Sequence, residues 1–124
     1  ITDLLSASGA VATIADESLM DAVTAVSGSG PAYIFHFIEC LTAAAENAGL
    51  PSETARLLAK QTVFGAASLA VESSEEPGTL RQQVTSPNGT TAAALAVLMG
   101  EDRLKTLLTD AVEAARLRSI ELGR

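Results

Sequence analysis

Apolar residues recur along much of this chain at intervals of three and four, the spacing that gathers them on one side of an α-helix. The final stretch, residues 101–124, is the plainest case, with Leu104, Leu107, Leu108, Ala111, Val112 and Ala115 on one side. In the same stretch Glu113 and Arg116 are spaced for a weak surface ion pair, worth a few tenths of a kcal/mol. Residues 17–26 predict a shorter helix, in which Leu19, Met20, Val23 and Val26 follow the same interval. Two longer helices, predicted over about residues 31–48 and 52–72, behave differently. In the second, Leu58, Ala59, Thr62, Ala66 and Leu69 mark one face while Val63, Phe64, Ala67 and Val71 mark another. A helix that is apolar around much of its circumference is buried on more than one side. A single chain of 124 residues has few places to bury two such helices, so they are expected to form the centre of a homodimer.

Glycine and proline punctuate these helices. In residues 27–31, SGSGP, Gly28 suits the end of one helix and Pro31 the first turn of the next. Gly49 ends that helix; Pro51 and Ser52 open another, with Ser52 expected as its N-cap and Glu53 at the positive end of the helix dipole. Residues 73–78, SSEEPG, form a polar break, and residues 79–84, TLRQQV, make about two helical turns before residues 84–91, VTSPNGTT. An apolar helix then runs to Gly100. At the other end, residues 1–17 look like the tail of a helix, a stop at Gly9 and a β-prone run over residues 11–14. A lone strand cannot satisfy its own hydrogen-bonding groups, so this run is either an extended arm or a strand of a sheet that lies elsewhere. The first residue is Ile1 rather than Met and no basic region precedes an apolar run, which predicts no signal peptide and a chain taken from something longer.

Composition narrows the function classes. The hydrophobic fraction is 48% with only 3% aromatic residues, so the core is built from small and aliphatic side chains in closely packed helices. A formal charge of -7 without a Lys/Arg cluster removes the term that dominates nucleic-acid affinity, and no nucleic-acid partner is expected. His36 and Glu39 interrupt the best membrane-span candidate short of the roughly 18 apolar residues required, so no membrane association is expected. Cys40 is the single cysteine; this fits a reducing cytoplasm and predicts a buried structural thiol.

Candidate chemistry is sparse. SGSGP would need a glycine at Tyr33 to match a dinucleotide-binding loop, and no strand precedes it. His36 is the one histidine, expected on a helix face with a hydrogen-bond partner; Glu39 and Glu46 share a face but lack a third metal ligand, so no metal site is expected. The acidic run Glu72, Glu75, Glu76 reads as solvated.

The segment VTSPNGTT differs because its parts cooperate. Pro87 pushes Ser86 out of helical geometry, Pro87 and Asn88 suit the middle of a turn, Gly89 permits close approach to the backbone, and Thr90 or Thr91 is expected to cap a new helix. The free N–H groups of a helix's first turn attract a small anion, and Thr85, Ser86, Thr90 and Thr91 add hydroxyls. Local chemistry alone leaves two readings, a decorated helix start or a site for a compact anion such as a carboxylate.

Residues 21–33, DAVTAVSGSGPAY, and residues 80–95, LRQQVTSPNGTTAAAL, in this order and with a Gly-Leu-Pro junction at residues 49–51 between them, closely resemble pyrroline-5-carboxylate reductases. The resemblance covers nearly the whole chain. It implies an all-α helical dimerisation domain of the 6-phosphogluconate-dehydrogenase C-terminal-like type, intertwined in a homodimer, with further association of dimers left open. It implies that residues 17–124 are the dimerisation and substrate-binding domain and that residues 1–16 are the last helix and strand of a preceding Rossmann domain. The implied reaction reduces 1-pyrroline-5-carboxylate to L-proline with NADPH or NADH, held mainly by that preceding domain, so that this chain alone is inactive. By motif, Ser86, Pro87, Asn88, Gly89, Thr90 and Thr91 would hold the substrate carboxylate, with Thr91 also catalytic beside the ring nitrogen. The pattern departs from the family at Asn88, where glycine is usual, and no glutamate stands where some relatives carry one near Ser74. Two other readings compete: an oligomerisation module without chemistry, and the helical domain of a hydroxyacid dehydrogenase, which lacks its expected lysine because Lys60 sits in no matching motif.

Overall fold

The computed structural model describes residues 19–123, and every regular element among them is helical. The expected helix tail and β-prone run of residues 1–16 lie outside the described residues. Helix α1 spans Met20–Val23 and passes into a π-helical turn over Thr24–Gly28; α2 spans Gly30–Asn47, α3 Ser52–Glu72, α4 Pro77–Gln83, α5 Thr90–Met99 and, after a 3-10 turn at Gly100–Asp102, α6 Arg103–Leu122.

The helix boundaries follow the punctuation with three corrections. Gly28 falls within the π-helical turn, closed by the amide of Ser29 donating to the carbonyl of Thr24 at 2.9 Å, instead of lying beyond a finished helix. The N-cap of α3 is Pro51, in extended geometry, and Ser52 is already helical; the fixed φ of proline sets the entry, and no side chain caps it. The N-cap of α5 is likewise Gly89, so Thr90 and Thr91 are helical residues and not caps. The predicted stop at Gly49 is present: its φ of +110° is one that side chains rarely adopt, and the amides of Gly49 and Leu50 close onto the carbonyls of Glu46 and Ala45.

The chain divides into two compact units. One comprises residues 31–77, mostly α2 and α3. Its covered positions are Ala55 and Ala59, 0% and 2% exposed, and Ala59 shares a cleft with Leu41 and Ala45 of α2. Much of the remaining apolar surface of α2 and α3 is exposed among the described residues: Phe35 is 65% exposed, Phe64 68% and Val71 71%. Cys40, expected as a buried thiol, is exposed.

The other unit contains α1, the π-helical turn, α5 and α6. Helix α6 is its platform, packing against α1, the π-helical turn and α5. Ala25 is fully buried where the π-helical turn meets it. The Ser119 hydroxyl donates to the Asp21 carboxylate at 2.7 Å and ties α6 to α1 across 98 residues. Of the predicted apolar stripe on α6 only Val112 and Ala115 gain cover, being half-buried, while Leu104, Leu107, Leu108 and Ala111 are exposed. Between α5 and α6 the chain turns through two left-handed residues, Glu101 at φ 57° and Asp102 at φ 54°. Arg103 steadies this corner by donating to the carbonyl of Val97, one of the groups left unpaired at the end of α5.

The Glu113 and Arg116 pair forms as the spacing predicts, as two parallel bonds of 2.9 and 2.6 Å. The guanidinium hydrogen bond holds the Glu113 carboxyl below its ordinary value and raises Arg116 in return.

Candidate functional site

The segment between α4 and α5 folds around one short turn. The Gly89 amide donates to the Ser86 carbonyl at 3.0 Å, with Pro87 and Asn88 at the corner. Asn88 takes a φ of 61°, the left-handed conformation that a turn of this pattern demands at its third position. Glycine would adopt it freely; asparagine tolerates it better than most residues. Gly89 suits its position for a different reason. Its own backbone is extended, at φ -91° and ψ -174°, which any residue adopts. A Cβ there, however, would stand 3.2 Å from the Ser86 carbonyl oxygen and 3.4 Å from the Ser86 Cβ. The close approach read from the sequence is therefore to the loop's own backbone.

That turn delivers the chain into α5. The first bond of the helix is the Ala93 amide to the Gly89 carbonyl at 3.2 Å, so the N–H groups of Thr90, Thr91 and Ala92 precede it and have no acceptor among the described residues. No side chain caps this end, and Ser86, Thr90 and Thr91 are exposed. Their hydroxyls make no hydrogen bond among the described residues and can turn toward a ligand. Thr85 is different: its hydroxyl donates to the Arg81 carbonyl at 2.6 Å and closes the end of α4, so it has no proton to offer an anion. Six residues named from the sequence, 86 to 91, thus stand together at one helix N-terminus, where an anion gains roughly 0.3–1 kcal/mol from the dipole alone. The spent Thr85 hydroxyl is what sequence reading could not assign by itself.

His36 Nδ1 meets Glu39 Oε1 at 3.1 Å on the exposed side of α2, which supplies the expected partner. No group of three or more His, Cys, Asp or Glu side chains among the described residues is placed to hold a metal. Among the described residues no helix is long and apolar enough to cross a membrane. The SGSGP glycines pass from a π-helical turn directly into α2.

The family model described as pyrroline-5-carboxylate reductase dimerisation matches residues 17–122. The chain belongs to that family. A pyrroline-5-carboxylate reductase of Pseudomonas aeruginosa is 50% identical over 120 residues, covering 97% of this chain and 44% of the relative. One from Arabidopsis thaliana is 49% identical over 118 residues, covering 94% of this chain and 42% of the relative. Among solved structures, a pyrroline-5-carboxylate reductase from Coxiella burnetii matches with a TM-score of 0.84 at 48% identity, covering 88% of this chain and 40% of that one. A pyrroline carboxylate reductase from Plasmodium falciparum, with NADP bound, matches with a TM-score of 0.82 at 35% identity, covering 93% of this chain and 44% of that one. The chain spans less than half the length of these relatives. Membership accounts for the shared helical fold, which resembles the dimerisation part of the pyrroline-5-carboxylate reductases from bacterial and eukaryotic sources alike.

Proposed function

We propose that this chain is the homodimerising, substrate-binding part of a pyrroline-5-carboxylate reductase, the enzyme that reduces 1-pyrroline-5-carboxylate to L-proline with NADPH or NADH. The observation that carries the substrate-binding reading is the uncapped N-terminus of α5, with its three unpartnered amides and the exposed hydroxyls of Ser86, Thr90 and Thr91. A carboxylate accepts from the amides around Thr90 and from the Ser86 hydroxyl, and the Ser86–Gly89 turn holds these donors in one place before substrate arrives. Pro87 and Asn88 shape that turn.

In this reaction the reduced nicotinamide supplies hydride to the C=N carbon. We assign its binding mainly to the length by which the relatives exceed this sequence. As the carbon is reduced, the ring nitrogen becomes basic and must receive a proton; Thr91, next to the carboxylate donors, orients that nitrogen or relays the proton. Residues 17–124 form the helical domain in this reading and residues 1–16 the last helix and strand of the cofactor domain. The protein works in the cytoplasm, apart from membranes and nucleic acids.

The homodimer is supported by what stays uncovered. Among the described residues the fully buried positions are three alanines, while large side chains on α2, α3, α5 and α6 face outward. Apolar surface of that extent marks an interaction site.

Two measurements test the proposal. In protein that carries the cofactor-binding length, Thr91→Ala lowers kcat by about a hundredfold with thermal stability unchanged; wild-type kinetics remove Thr91 from the mechanism. Titrating this chain with L-proline shifts the amide resonances of Gly89, Thr90 and Thr91. Silence there favours an oligomerisation module without chemistry.

A further inference from the structure

One groove of the α2 and α3 unit differs from the apolar surface around it. It is lined by Ile38, Glu39, Thr42, Ala43 and Glu46 of α2 and by Arg56 and Lys60 of α3. Seven residues are close to two helical turns and four to one, so each pair lies on one face of its helix, separated along the axis by about 10 Å and about 6 Å. These carboxylates and cations do not pair with each other. Glu39 meets His36 on its own helix, and among the described residues Glu46, Arg56 and Lys60 enter no ion pair.

A groove lined by two carboxylates of α2 and two cations of α3, beside apolar Ile38 and Ala43, is self-complementary. A two-fold rotation lays the cations of one copy against the anions of another and does the same in reverse, the reciprocity a symmetric dimer requires. We propose that this groove docks against the same groove of a second copy, with Glu39 and Glu46 of each chain facing Arg56 and Lys60 of the other. The proposal rests on the homodimer reading above and specifies its register. Apolar burial supplies the affinity; the charges select one alignment of helices that would otherwise slide past each other at small energetic cost.

The test uses two charge-reversed versions of this chain, E39K/E46K and R56E/K60E, with sedimentation and native mass spectrometry as readouts. All four positions are exposed, and circular dichroism checks that the helices persist. Each variant alone is expected to dimerise at least about tenfold more weakly than wild type, because like charges now face each other. An equimolar mixture is expected to recover the wild-type affinity as a one-to-one heterodimer, since both contacts between unlike variants are again attractive. Pairing within a chain predicts no rescue on mixing, and that result overturns the proposal. Variants that dimerise as tightly as wild type overturn it too, while leaving the homodimer reading intact; a monomeric wild type overturns both. If charge reversal melts either helix, the neutral variant E39Q/E46Q decides: its dimerisation is expected to be less sensitive to salt than that of wild type, and an unchanged salt dependence refutes the charge register.

Discussion

Asn88 and Gly89 are adjacent, and the structure gives them opposite reasons for their identity, so substituting both is a sharp test of the loop. At Asn88 the difficulty is conformational. A φ of 61° costs an ordinary L-residue about 1–2 kcal/mol, part of which asparagine escapes. Asn88→Ala should therefore lose about 1 kcal/mol. Asn88→Gly removes the remaining strain but adds freedom to the unfolded chain worth about 0.4–1 kcal/mol, so it should land near wild type. At Gly89 the difficulty is steric. Its extended backbone accepts alanine, and lower unfolded-state entropy alone would make Gly89→Ala stabilising by about 0.4–1 kcal/mol. The new Cβ, however, lies 3.2 Å from the Ser86 carbonyl oxygen, a backbone atom that also accepts the bond closing the turn. It cannot swing aside as a flexible side chain would, and we expect a net loss of about 1 kcal/mol. The assay is thermal unfolding at one fixed protein concentration, since association shifts the midpoint. A loss of that size lowers Tm by roughly 4 °C in a chain this long. Stabilisation by Gly89→Ala would refute the clash, and wild-type stability in Asn88→Ala would refute the left-handed turn.

Phe64→Ala should leave the helicity of the single chain unchanged, because Phe64 is 68% exposed within it; sedimentation equilibrium should show dimerisation weakened by about 2 kcal/mol or more per chain if that ring is covered by a partner. Ser119→Ala removes the 2.7 Å bond to the Asp21 carboxylate and should cost about 1–2 kcal/mol in chemical denaturation, with no effect on the amide shifts that proline induces at α5. The Glu113 carboxyl is held below its ordinary value of 4.5 in the folded chain, so its stabilising contribution is present above that value and is lost as pH falls through the lower, folded one. Glu113→Gln should accordingly flatten the acid-side fall of stability measured below about pH 5; an unchanged slope would show that the pair does not persist in solution.

Much of this protein is legible from local rules. Helix periodicity and glycine and proline punctuation place the ends of α2, α3, α5 and α6 within a residue or two, because those signals act through nearby backbone groups. The same locality makes residues 84–91 recognisable, since proline, asparagine, glycine and threonine each constrain only their neighbours. The misread caps have one cause: Ser52 and Thr90 carry good capping side chains, but the extended residue before each, Pro51 and Gly89, already makes the turn into the helix.

What needed the tertiary structure is whatever depends on residues far apart in the chain. The sequence shows that α2 and α3 are apolar all round, yet it does not say which of those faces are covered; among the described residues of these helices only Ala55 and Ala59 are buried, and Cys40 is exposed. The bond between Asp21 and Ser119 has no local signature, because it joins helices 98 residues apart. Nor does spacing alone reveal that Glu39 and Glu46 share a groove with Arg56 and Lys60, since that depends on how α3 folds back along α2. Short-range sterics and hydrogen bonding decided the helices and the loop; which faces remain open, and which charges meet, was settled only when those helices packed.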